Sequence, residues 1–326
     1  MPDKDLLPTQ AGSTPDSISG TDATAGTQIY HVPALLPECM TALDIKPGGT
    51  YIDVTFGGGG HSREILSRLK PEGHLFGFDR DRDALANKPD DPRFTFVLSD
   101  YRYLENFLDY HGAQKVDGIL ADLGVSFHHF DTAERGFSFR SDAPLDMRMN
   151  RTGGKSAAEL IADASKEELE RIFREYTDLK RPGQIASAIV KSREDSPILT
   201  THELWEAVRG ALSPKSEKKD LSQVFQALRI EVNGELESIR KLLEASARVL
   251  KPGGRLAVIT YHSIEDRLVK NFMRSGNTEG KIEQDIYGRV HTPWKLITRS
   301  PITPSEQEVE QNPRSRSAKL RVAELI

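Results

Sequence analysis

Residues 50–62 read TYIDVTFGGGGHS. A short β-rich run carries Asp53 at its end and passes into four consecutive glycines, Gly57 to Gly60. HSREILSRLK, starting at His61, then has the apolar spacing of a helix. A strand, a bare turn and a helix bring the unpaired N–H groups of the helix start to the point where the strand ends. Ligands of open α/β sheets bind at such edges. Glycine lets backbone approach a ligand closely and adopt positive φ. An ordinary tight strand-to-helix turn has the same composition, so the flanking sequence has to decide.

Upstream, YHVPALLPECMTALDI (30–45) predicts a short amphipathic helix and KPGG (46–49) a turn. Downstream, HLFGFDRD (74–81), FTFVLSD (94–100) and VDGILADLG (116–124) predict strands. DALANK and YRYLENFLDYHG between them predict helices. Strands alternating with helices at this spacing predict a parallel sheet covered on both faces. The alternation then stops. SAAELIADASKEELERIFREY, QIASAIVKSRED and THELWEAVRGALS all have helical periodicity, with Thr200 or Thr201 as a cap before the last. SPKSEKKDLS (213–222) predicts a mobile loop. ELESIRKLLEASARVL predicts a long helix, KPGGRLAVITYHS repeats the turn-then-strand pattern, and SAKLRVAELI predicts an alternating final strand. The expected architecture is an α/β core built from 28–135 and 223–326, interrupted by an all-helical insertion over 136–222. Residues 1–27 are rich in Ser, Thr, Gly and Asp and predict a disordered tail.

Composition sets outer bounds. The 326 residues carry 44 Lys and Arg against 49 Asp and Glu, a net charge of −5. Overall charge therefore gives no argument for nucleic acid, although a local basic patch suffices for it. No run approaches the roughly 20 apolar residues of a membrane span, and no secretory signal is recognisable. Cys39 is the single cysteine, which excludes an intrachain disulfide and points to a reducing cytoplasm.

The strand ends carry the chemistry. Asp79 closes the second strand, where an acid accepts from both ribose hydroxyls of an adenosine. This serves NAD and S-adenosylmethionine equally, and Asp79 can instead cap a helix or pair with Arg80 or Arg82. Asp100 can sit at the adenine edge, with Tyr101 over the ring. A dinucleotide site wants G-x-G-x-x-G, and Ser62 stands where the third glycine belongs. LEASARVLKPGGRLAVITYHS resembles the fifth-strand region of class I methyltransferases. Asp122 closes the fourth strand, where a substrate would meet a methyl group. Asp122-Leu123-Gly124-Val125 replaces the Pro-Pro-aromatic signature usual in amine methylases.

GGGGHS, DRD (79–81), DLGVS (122–126), DTAERGFSFR (131–140), PLDMRM (144–149), FQALRIEVNGELE (225–237), HSIEDR (262–267) and NPRSRSAKLR (312–321) occur in that order. Together they resemble the bacterial ribosomal RNA small subunit methyltransferase H family over residues 29–325. The resemblance implies a class I, Rossmann-like methyltransferase core with a helical domain inserted. It implies S-adenosyl-L-methionine as cofactor and methyl transfer to N4 of a cytidine in the decoding region of 16S rRNA, within the small ribosomal subunit. Carried over position by position, Gly59, Gly60 and His61 face the methionine side and Asp79 the ribose. Tyr101 lies near the adenine, and Asp122 makes the fourth-strand contact. The family has a glutamine at the last cofactor position, where this chain has His129.

Asp122 is the first candidate proton acceptor, unless it holds the methionine moiety. His262, at the end of the fifth strand, is the second, with a helix cap as its alternative. Asp146 and Arg148 either shape the cytidine pocket or form a structural salt bridge. Arg135, Arg140, Arg289, Arg299, Arg314 and Arg316 are candidate phosphate contacts. The helical insertion shapes the RNA site or pairs two copies of the chain, so monomer and homodimer both stay open. The competing functions are a nicotinamide-dependent oxidoreductase, a DNA amino-methylase and a non-enzymatic assembly factor.

Overall fold

A computed structural model describes residues 33–125, 130–285, 287 and 292–326. The expected disordered tail, His129 and Arg289 lie outside the described residues. The described residues form one compact unit.

Seven strands make one sheet: β1 Thr50–Asp53, β2 His74–Asp79, β3 Phe94–Leu98, β4 Val116–Asp122, β5 Leu250–Thr260, β6 Trp294–Leu296 and β7 Lys319–Leu325. Their order is β3-β2-β1-β4-β5-β7-β6. The first five are mutually parallel, whereas β7 runs antiparallel to both β5 and β6. The sheet is Rossmann-like, with its chain reversal between β1 and β4. Alternate residues of a strand face opposite sides. Ile52, Phe76, Phe78 and Ile119 therefore pack in one layer and Tyr51, Leu75 and Leu120 in the other. Four consecutive buried residues in β4 and five in β5 reflect cover on both faces.

The helices are α1 Leu36–Leu43, α2 Gly60–Arg68, α3 Leu104–Tyr110, α4 Ala157–Asp163, α5 Lys166–Tyr176, α6 Pro182–Asp195, α7 Thr201–Arg209, α8 Glu217–Asn233, α9 Glu235–Val249, α10 Ser263–Ser275 and α11 Glu306–Gln311. The segment α4 to α8 has an apolar core of its own, from Leu145 to Leu228. Thr200 caps α7 in a reciprocal box with Glu203. Three expectations change. The single helical stretch 156–176 is two helices, because Ser165 and Glu168 form a new capping box. The expected loop at 213–222 is helical from Glu217, and α8 runs through the anticipated boundary at 222/223 to Gly234. Lys218 and Lys219 in its first turn are exposed, while Leu221 and Val224 enter the helical core. The last strand is buried along most of its length rather than alternating, because it lies between β5 and β6.

Candidate active site

After Asp53 the chain keeps bonding to both neighbours. Val54 N donates to Leu120 O and Phe56 N to Phe78 O, each at 2.9 Å. The glycine turn is thereby held over the ends of β2 and β4. Gly57 and Gly59 take φ of +49° and +72°, which favours glycine. A Cβ on Gly60 would stand 2.4 Å from Pro33 Cγ, so this position needs hydrogen for its close approach. α2 starts at Gly60 without a side-chain cap, leaving its first N–H groups directed at the sheet edge.

Three carboxylates surround this turn. Asp53 is 1% exposed; its Oδ2 accepts from Ser62 Oγ at 2.7 Å and its Oδ1 from Thr55 N at 3.1 Å. Burial pushes its carboxyl above the ordinary range, and His61 and Ser62 act against that. Ser62, which displaces the third dinucleotide glycine, is thus an internal partner of Asp53. Asp79 accepts from Gly57 N and from Asp81 N, both at 2.8 Å. The two bonds fix its carboxylate at the end of β2.

Asp122 stands at the end of β4. Its N–H donates to Thr55 Oγ1 at 2.7 Å, and its Oδ1 accepts from the Tyr261 hydroxyl at 2.8 Å. His61 Nδ1 lies 3.8 Å from its Oδ2. His61 Nε2 is 3.1 Å from the Ala34 carbonyl, which can only accept, so Nε2 carries a hydrogen. Burial pushes the Asp122 carboxyl up to about 6, with Asp53 and Glu265 adding to the rise; His61 and the Tyr261 bond oppose it. A carboxylate poised this close to neutrality can accept a proton under physiological conditions.

The other expected residues separate from this cluster. His262 caps α10: its Nδ1 accepts from Glu265 N at 3.4 Å, and its Nε2 faces Glu265 Oε1 at 3.1 Å. Glu265 accepts in turn from Tyr261 N, and despite burial these contacts hold its carboxyl below the ordinary range. The side chain reaching Asp122 from β5 is therefore that of Tyr261, one residue earlier. Only its position before HSIEDR could have suggested it. Tyr101 packs against the sheet core. Asp100 is engaged by Arg80 at 3.2 Å, Arg102 N at 2.8 Å and Ser238 Oγ at 3.0 Å. Asp146 and Arg148 form a forked pair at 2.7 and 3.0 Å.

Arg135 does not fit the expectation of a phosphate contact. It is 2% exposed, and a phosphate cannot reach it. Its Nη1 donates to Asp81 and Asp83 at 2.9 and 3.0 Å, and its Nη2 to the carbonyls of Arg148 and Met149, both at 3.0 Å. Asn233 continues the chain by accepting from Met149 N and donating to Met147 O. A buried relay thus joins Asp79, through Asp81 and Arg135, to the helical segment. Arg140, Arg299, Arg314 and Arg316 are exposed, with Arg314 forked onto Asp131.

Comparison with known proteins bears on what this site does. A protein of Parabacteroides distasonis called ribosomal RNA small subunit methyltransferase H is 56% identical over 298 residues, covering 91% of this chain and 98% of the relative. A relative of the same name from Bacteroides thetaiotaomicron is 57% identical over 295 residues, covering 90% and 97%. One from Porphyromonas gingivalis is 54% identical over 303 residues, covering 91% and 97%. The model of the MraW methylase family matches residues 28–326, a span that takes in the glycine turn, all three carboxylates and the helical segment. The chain with this site belongs to the MraW methylase family.

Proposed function

We propose that this protein transfers the methyl group of S-adenosylmethionine to N4 of a cytidine in the decoding region of 16S rRNA, acting in the cytoplasm on the small ribosomal subunit or its RNA. Membership of a methylase family makes it a methyltransferase, and its relatives are named for the small-subunit rRNA. The observation that carries the reading is Asp122: a buried carboxylate at the end of β4, tethered by Tyr261 and faced by His61.

The residues present fit the cofactor. Asp79, its carboxylate fixed by Gly57 N and Asp81 N, would hold the ribose. The uncapped start of α2 at Gly60 and His61 would receive the methionine carboxylate. The turn presents open space at Gly58, where a Cβ would meet nothing within 4 Å. Bound S-adenosylmethionine supplies a methyl group on a sulfonium, electrophilic without further activation.

The chain's own task is to position the amine and to take its proton. Cytosine N4 is a weak nucleophile because its lone pair is delocalised into the ring. Asp122 accepts a hydrogen bond from the amine, which helps the nitrogen pyramidalise and draws its lone pair out of conjugation with the ring. It then takes the proton as the N–C bond forms and the bond from methyl to sulfur breaks. Tyr261 keeps the carboxylate in place, and His61, tied to Ala34, stabilises its charge. The target base has to leave its stack to reach this edge.

The test is transfer of labelled methyl to 30S subunits and to naked 16S rRNA, followed by nucleoside analysis. N4-methylcytidine from either substrate is the expected product. Its absence from both contradicts the assignment.

A further inference from the structure

Ahead of α1 the chain runs Pro33-Ala34-Leu35, and Leu35 enters the helix in the left-handed region, at φ 52° and ψ 34°. A leucine there is strained, and such strain persists only where the surroundings over-determine it. Leu35 is fully buried, and no side chain caps this helix start. What fixes it is one peptide unit gripped at both ends. Leu35 N donates to Glu308 Oε1 at 2.8 Å. The Ala34 carbonyl of the same peptide accepts from His61 Nε2 at 3.1 Å. The C=O and N–H of a trans peptide point opposite ways, so Glu308 and His61 hold it from opposite sides. The carboxylate polarises the amide toward its oxygen, and the two bonds strengthen each other. Glu308 belongs to α11, 273 residues further along the chain. Pro33 brings the same segment against the start of α2, where it fills the space a Cβ on Gly60 would need.

We propose that Glu308 is a positioning residue for the reaction: through the Ala34–Leu35 peptide it holds the His61 ring with Nδ1 turned toward Asp122. The proposal rests on the reading of Asp122 as proton acceptor. With the Nε2 hydrogen committed to Ala34, Nδ1 stays on the side of Asp122 Oδ2, 3.8 Å away. A ring flipped about its bond to Cβ would present carbon to both partners. Without Glu308 the Leu35 N–H loses its acceptor, the strained peptide turns, and the ring loses its anchor. Asp122 is faced by His61 of α2, Tyr261 after β5, Asp53 of β1, Glu265 of α10 and Cys39 of α1. Of these only His61 hangs on the gripped peptide. Burial raises the Asp122 carboxyl, and His61 is the strongest influence against that rise. Glu308 therefore acts on Asp122 at second hand, without touching cofactor or substrate.

The experiment uses the full chain and its variants Glu308→Ala and Glu308→Gln. Glu308 is half-buried, and glutamine keeps an acceptor for Leu35 N. The histidine ring nitrogens are observed in long-range proton–nitrogen spectra of protein carrying isotope-labelled histidine, with His61→Asn identifying the His61 signals. In alkaline buffer, wild type and Glu308→Gln should show His61 as one form, its hydrogen on Nε2. Glu308→Ala should show it averaging between the two ring forms. In methyl transfer to 30S subunits, the acid limb of kcat/KM should move to higher pH by about one unit in Glu308→Ala, the lower end of what a charged group at this range supplies. In Glu308→Gln it should stay near wild type. If Glu308→Ala does not fold, Glu308→Asp replaces it: the charge stays, the reach shortens, and the same two changes are expected. Unchanged His61 signals overturn the proposal, even beside a lowered melting temperature. So does an acid limb that stays in place while the signals change. Methylation bears on the earlier reading separately: a His61 form that depends on Glu308, in a protein that methylates neither 30S subunits nor naked 16S rRNA, keeps the ring contact and removes the proposed function.

Discussion

Replacing Arg135 with methionine should be the most costly single change outside the sheet core. The side chain is 2% exposed, so methionine keeps most of its volume while removing four hydrogen bonds. Asp81, itself 5% exposed, loses its bond to the Arg135 guanidinium. Breaking a buried pair from one side costs about 3–5 kcal/mol. The Asp83 side chain is 55% exposed, so its share is screened and adds little. For a large domain each kcal/mol lowers the melting temperature by about 2 °C, which puts the loss at about 6–10 °C. Scanning calorimetry measures it. Arg135→Lys keeps the charge but has no planar fork, and should fall between the two. The relay also predicts weaker S-adenosylhomocysteine binding in Arg135→Met, since Asp81 N fixes the Asp79 carboxylate. A melting temperature within about 2 °C of wild type would show that the buried Arg135–Asp81 pair contributes little, and an unchanged cofactor affinity would refute the relay.

Other consequences follow from the same geometry. If Asp122 takes the proton, kcat/KM should fall on the acid side with a midpoint near 6, because below that pH the carboxyl is protonated and cannot accept; a flat profile from pH 5 to 8 contradicts this. The same raised value means the folded state binds the extra proton first, so this group's contribution to stability rises as pH falls from about 6 toward 4, visible as a missing increment in Asp122→Asn. Tyr261→Phe removes the bond that opposes the rise. Its acid limb should move to higher pH with little change in melting temperature, and an unmoved limb would show that Tyr261 does not tune Asp122. Gly60→Ala places a Cβ 2.4 Å from Pro33 and should cost about 1–3 kcal/mol of stability while weakening S-adenosylhomocysteine binding; a variant that melts and binds like wild type would show that Pro33 yields freely.

How much of this was legible in the sequence depends on the range of the interactions. β1 to β4 were readable because both-face burial demands compact apolar runs, and the cap of α7 was narrowed to Thr200 or Thr201 because a capping box spans only four residues. β6 was missed because Trp294–Leu296 is three residues long and owes its state to pairing with β7. The break at Ser165 carried a local signal, Ser165 followed by Glu168, hidden within a continuous helical pattern. Lysines at the start of α8 suggested a loop, although α8's inward residues belong to the helical core. At the site, the strand-end acids were legible by position. Arg135 was not, because its partner Asp81 lies 54 residues away and nothing local distinguishes a buried arginine from a solvated one. Tyr261 was overshadowed by His262, whose side chain serves the start of α10.

The most direct test of the site is a crystal structure of the protein with S-adenosylhomocysteine. The ribose hydroxyls should lie on Asp79, the amino-acid end over Gly60 and His61, and the sulfur nearest Asp122 among the three carboxylates. A ligand bound at another edge of the sheet, or with its ribose away from Asp79 and its sulfur away from Asp122, would contradict this placement.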